Sequence, residues 1–217
     1  MGGGREVRRA LGWLLLVAGV GLLGFVGTGY GRGLMDRDAA RRQWAGIEAR
    51  AALRSANAHL ADRPGPIAQG TPVSRLLVPQ IDLDEVIVEG VGDAVLNAGP
   101  GHMPGTPLPG GAGNAVVSAH RDMHFRRLAE LGIGDTVVTV TEYYRTTWRI
   151  TGRRIVAASA ASIFPTSEAS LTLTTCWPMR YIGPAPDRLL LSAEPLRPPE
   201  PVAGAASAAD DPSEAAS

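Results

Sequence analysis

The 217-residue chain has one cysteine, no lysine, only three phenylalanines and four histidines. All 21 basic residues are arginine. Without lysine, a lysine nucleophile or Schiff base is excluded. The 21 basic residues are matched by 21 acidic ones, so no electrostatic footprint for nucleic acid exists and no nucleic-acid partner is expected. With a single cysteine there is no internal disulfide. That thiol, Cys176, is then either a small buried side chain or a reactive one.

Long apolar runs are also scarce, and the exception sets the compartment. Residues 1–9 carry Arg5, Arg8 and Arg9, and residues 10–31 carry no charge. As a helix at about 1.5 Å per residue the run spans roughly 33 Å, enough to cross a bilayer. A cleaved signal peptide begins in the same way, but the length of the run and the lack of an Ala-x-Ala site favour an uncleaved anchor. The basic N-terminus is expected in the cytoplasm. This reading gives a single-pass protein of the cell membrane with an extracytoplasmic domain. There an unpaired thiol is exposed to oxidation.

Composition divides the rest of the chain. In 34–60, Ala40, Trp44, Ile47 and Ala51 fall at helical spacing, which predicts a stalk helix. With the Pro/Gly linker of 61–72 it makes a 32–72 segment. Residues 198–217 have almost no large apolar side chain and are expected to be a disordered tail. The folded domain is 73–197. In it, SRLLVPQIDL, EVIVEG, NAVVSAH, LTLTTCW and DRLLLSAEPL read as strands, and DTVVTVTEYYRTTWRITGRRIVAAS as several more. DAVLNAG and FRRLAEL read as short helices, and 99–114 as a long Gly/Pro-rich loop. About eight strands without βαβ alternation predict an all-β fold, a closed β-barrel with short helices behind an N-terminal transmembrane helix.

Cysteine chemistry needs a thiolate, a proton carrier and a group to hold the oxyanion. Cys176 ends the strand LTLTTC, and His120 ends NAVVSAH. If those ends meet at the lip of a barrel, His120 is the carrier. Arg188 opens the next strand and brings an always-charged guanidinium to the same mouth. Two other readings stay open here. Cys176 is inert packing in a ligand-binding barrel, or His120 and His124, with His102 and Cys176, hold a metal; His-x₃-His alone is a weak signal.

The same residues carry a resemblance. TLTTC (172–176), SAHRDMHF (118–125), APDRLLL (185–191) and the loop AGPGHMPGTPLPGGAGN (98–114) together resemble the sortases, membrane-anchored cysteine transpeptidases, and most closely their class D-like branch. The resemblance spans about residues 74–194. It implies an eight-stranded sortase-like barrel with Cys176 as nucleophile, His120 as general acid/base and Arg188 for the oxyanion. It also implies substrate-side roles for Thr175, Ala119 and His102; the sequence itself shows no sign of a cofactor or bound metal. Ala119 departs from the Gly usual before the histidine. The implied partners are exported proteins with C-terminal Leu-Pro-x-Thr-Gly-like sorting signals, and an amine acceptor in the cell envelope or a pilin. A cysteine hydrolase is the alternative within the same chemistry.

Overall fold

No proline interrupts the first part of the chain, and α1 (Gly3–Leu53) runs unbroken from the apolar segment into the Ala/Arg-rich one. The computed structural model describes residues 3–53, 67–160, 165–180 and 183–202. Among them α1 is the one helix long and apolar enough to cross a membrane, a pattern shared by anchors and signal sequences. Leu11, Trp13, Leu14, Leu23 and Phe25 all face outward.

Beyond the apolar run, α1 lies against the domain and is not a free-standing stalk. Ala40 and Trp44 are buried on Val86 and Val88. The expected linker falls partly on residues 61–66, outside the described residues. Residues 67–71 already belong to the domain: Ile67 packs on its core, and the Gly70 N–H donates to the Glu89 carbonyl at 2.8 Å.

The strands are β1 (Pro72–Val78), β2 (Leu83–Glu89), β3 (Gly101–His102), β4 (Asn114–Ser118), β5 (Thr136–Val140), β6 (Tyr144–Ala157), β7 (Ser170–Trp177), β8 (Asp187–Pro195) and β9 (Glu200–Pro201). Their order is β5-β1-β2-β3-β4-β7-β8-β6, and a β5–β6 pairing closes this ring of eight into the expected barrel. β9 pairs with the start of β6, at Tyr144 and Arg145. The chain is therefore tied down to Val202, whose N–H donates to the Tyr143 carbonyl at 3.0 Å. That corrects the tail boundary at 198, because main-chain pairing does not require the large apolar side chains whose lack suggested disorder. Residues 203–217 lie outside the described residues.

Alternation builds the core. Ala115, Val117, Leu171, Leu173, Leu189, Leu191 and Ala193 point inward with Trp148 and Phe125, all nearly inaccessible. The fully buried indole of Trp148 donates to Thr139 Oγ1 at 2.8 Å, so its polar edge is satisfied.

Two parallel pairs interrupt the antiparallel pattern. β2 and β3 are joined through α2 (Asp93–Ala98), the crossover that parallel strands need. β4 and β7 are the other pair. The expected 99–114 loop thus contains a two-residue strand. It fits only because Gly101 has no side chain, since a Cβ there would stand 2.1 Å from the Gly90 carbonyl oxygen. The expected helix FRRLAEL contains a single 3-10 turn, Leu128–Glu130, because Phe125 and Leu128 are drawn into the core.

Candidate active site

Register decides which face each side chain of β7 takes. Leu171, Leu173 and the buried Thr175 share the interior parity. Thr172, Thr174 and Cys176 therefore take the outer face. Cys176 is half-buried and unpaired. Its antiparallel partner on β8 is Arg188, and residues directly opposite place their side chains on the same face with Cα atoms about 4.5–5.5 Å apart.

On the other side β4 runs parallel, with Ser118 opposite Thr174. The alignment continues past the end of the strand. The Ala119 N–H donates to the Thr174 carbonyl at 3.2 Å, and Thr175 Oγ1–H donates to the Ala119 carbonyl at 2.7 Å. This register leads the chain beyond Ser118, and with it His120, toward the end of β7 that bears Cys176. Cys176 thus shares the outer wall with Arg188, and His120 sits on the segment that follows β4. All three lie near strand ends, outside the interior that Phe125, Leu173 and Leu191 fill. Nη1–H of Arg188 donates to the carbonyls of Asp187 at 3.0 Å and Ala185 at 3.5 Å. These bonds orient the guanidinium along its own hairpin.

Three expected substrate contacts are corrected. Ala119, Thr175 and His102 are buried, at 4%, 3% and 2% exposure. Thr175 and Ala119 belong to the interior face, where the Ala119 methyl packs in the core. Their hydrogen bond fixes the backbone on either side of His120 and Cys176. His102 lies in β3, with Nδ1 at 2.6 Å from Glu89 Oε2 and Nε2 at 3.0 Å from both the Pro107 carbonyl and Thr106 Oγ1. It clamps the following loop to the barrel wall. The metal reading drew on His102, His120, His124 and Cys176. Among the described residues no three His, Cys, Asp or Glu side chains gather as ligands. His102 is turned to Glu89, and His124 to Glu85.

Arg121 has a part that sequence reasoning did not find. From the turn that carries His120, its Nη1–H donates to the Pro178 carbonyl at 3.2 Å and its Nη2–H to the Gly183 carbonyl at 3.0 Å. It ties that turn to the β7–β8 connection that follows Cys176. Its acceptors are main-chain carbonyls, which leave no trace in a sequence.

Beside His120 lies a cleft of about 530 Å³, lined by His120, Asp122 and Met123 on the domain and by Phe25, Val26 and Arg32 on α1. The last turns of the apolar helix thus form one wall of a cavity that reaches the histidine.

Comparison with known proteins agrees with this geometry. The family model described as the sortase domain matches residues 76–196. Sortase D of Bacillus subtilis (strain 168) is 36% identical over 118 residues, which cover 54% of this chain and 60% of that protein; the chain thus spans about three-fifths of that relative. The catalytic domain of B. anthracis SrtD is 34% identical with a TM-score of 0.52, over 64% of this chain and 96% of that one. A Clostridium perfringens sortase D5 transpeptidase shares the fold at a TM-score of 0.55 and 24% identity, over 60% of this chain and 82% of that one. A closed eight-stranded barrel, an outward Cys176 paired with Arg188, and a family match over more than half its length together show that this chain belongs to the sortase family.

Proposed function

We propose that the chain is a membrane-anchored cysteine transpeptidase that joins exported proteins to an amine. The observation that supports this reading is the register that pairs Cys176 with Arg188 and aligns the end of β4, which leads to His120, with the end of β7. The substrate is an exported protein with a C-terminal Leu-Pro-x-Thr-Gly-like signal. Sγ of Cys176, as thiolate, attacks the carbonyl carbon of the Thr, in its bond to Gly. Arg188 donates hydrogen bonds to the oxygen as it becomes negative. The C–N bond breaks as His120 protonates the departing amine, leaving a thioacyl-enzyme. An acceptor amine in the cell envelope or a pilin then attacks the thioester and loses its proton to His120. An amide forms and the thiolate is restored.

The cleft beside His120 supports a substrate held at the membrane surface. α1 acts as a single-pass anchor with Arg5, Arg8 and Arg9 inside, and places the catalytic domain outside the cytoplasm. The test uses the full chain in detergent micelles with a sorting peptide and an excess of a small amine. The expected result is the amide of the acyl fragment, formed through a hydroxylamine-sensitive adduct on Cys176. Free acid as the only product, undiminished by the amine, would assign a cysteine hydrolase instead.

A further inference from the structure

The carboxylate of Glu85 is the meeting point of α1 and the turn that bears His120. Glu85 is 6% exposed. From α1, Arg37 Nε–H donates to its Oε2 at 3.1 Å and Arg37 Nη2–H to its Oε1. Arg41 Nη2 lies 3.5 Å from Oε2 and also donates to the Asp84 carbonyl at 3.2 Å. On the opposite side, His124 Nδ1 stands 3.5 Å from Oε1, its side chain only 3% exposed.

His124 is four residues beyond His120 in a closed turn. The N–H groups of Met123 and Phe125 both donate to the His120 carbonyl, at 3.4 and 3.1 Å. Phe125 is fully buried. The main chain at His120 is thus fixed by two neighbours, Phe125 in the core and His124 on Glu85. α1 is seated for its part by Ala40 and Trp44 on β2. It also closes on α2 where Gly33 offers no side chain, since a Cβ there would lie 3.1 Å from the Asn97 carbonyl oxygen.

We propose that Glu85 is a positioning residue for His120, locking the docked part of the anchor helix to the catalytic turn through Arg37 and Arg41 on one side and His124 on the other. Docking of α1 and alignment of His120 are then one event, and the helix that tethers the enzyme also completes its site. This inference rests on the role proposed for His120 in catalysis. The ionic state favours the lock: burial pushes the Glu85 carboxyl up, but the hydrogen bond from His124 and the charge of Arg37 outweigh it and hold the group below the usual carboxylate range. A buried carboxylate needs such partners, and removing them leaves an uncompensated charge.

The test is made on the full chain in micelles, with Arg37→Gln/Arg41→Gln and Arg37→Lys/Arg41→Lys double variants, and Arg42→Gln, an exposed arginine of the same helix, as control. In the Gln double variant kcat for peptide transfer is expected to fall about tenfold or more while KM stays within about twofold, since loss of alignment acts on the chemical step. The Lys variant, which restores the charge, is expected to recover most of the rate. Amide hydrogen exchange over 120–128 reads the lock without any substrate, and is expected to quicken by about tenfold in the Gln variant alone. Wild-type kcat with unchanged exchange overturns the proposal. So does a kcat that falls only in step with thermal stability and is not recovered by Lys. Should the wild-type chain transfer no peptide, the transpeptidase reading fails, and the exchange measurement still decides whether the lock exists.

Discussion

Replacing Cys176 with Ala is expected to abolish peptide transfer, with a fall in kcat of at least about three orders of magnitude, as for other enzymes that lose their nucleophile. The fold should survive. Cys176 lies on the outer face of β7, half-exposed, and contributes nothing to the buried cluster of Leu171, Leu173, Leu189 and Leu191. Alanine keeps the strand backbone and its pairing to Arg188. Unfolding of the variant should therefore stay within about 1 kcal/mol of the native chain, the range of a substitution outside the core. Peptide turnover followed by mass spectrometry, beside thermal unfolding by circular dichroism, checks both halves. Residual transfer at the native rate would remove Cys176 from the mechanism. An unfolded variant would mean that the thiol is a packing residue.

Glu89→Ala is expected to have the largest effect on stability. The reason is a count of protons. Thr106 Oγ1–H is committed to the Met103 carbonyl at 2.7 Å, so towards His102 Nε2 its oxygen can only accept. The Pro107 carbonyl can only accept as well. Nε2 must therefore carry a hydrogen. Nδ1 then faces Glu89 Oε2 at 2.6 Å, a contact that needs one proton between the two groups. The pair is buried in the barrel wall, at 5% and 2% exposure. Taking Glu89 away strands the other half, at a cost of about 3–5 kcal/mol. For a domain of this size that is a fall in Tm of roughly 10–20 °C, measured by thermal unfolding of the full chain. The loop that His102 clamps at Pro107 and Thr106 should loosen first. A fall of no more than a few degrees would show that the pair contributes little.

How much of the molecule is legible in its sequence depends on the kind of signal each feature leaves. The strands are readable because LTLTTC and DRLLLS alternate between core and surface, and the barrel follows from their number. The three candidate active-site side chains are readable as residue types at strand ends. The outward direction of Cys176 is not evident from its position, although the parity of Leu171 and Leu173 contains it. β3 and β9 are illegible, since two-residue strands are defined by the partner's main chain. The docking of α1 is half written: Ala40 and Trp44 mark a stripe, and EVIVEG is apolar on both faces, the pattern of a strand covered on its outer side. Nothing in the sequence joins the two. Arg37 and Glu85 are 48 residues apart, and an ion pair across such a distance has no spacing to recognise. His102 is misplaced at the substrate because a histidine in a Gly/Pro-rich loop reads as exposed, whereas Glu89 draws it into the wall.

The catalytic mechanism depends on an accessible sulfur between an imidazole and a guanidinium. The most direct check is to treat the folded full chain with a small alkylating reagent and follow its intact mass. Cys176 is expected to take up one equivalent in the native state, with peptide transfer lost in the same proportion. A thiol that stays unmodified until the protein is unfolded, while transfer persists in the presence of reagent, would contradict it.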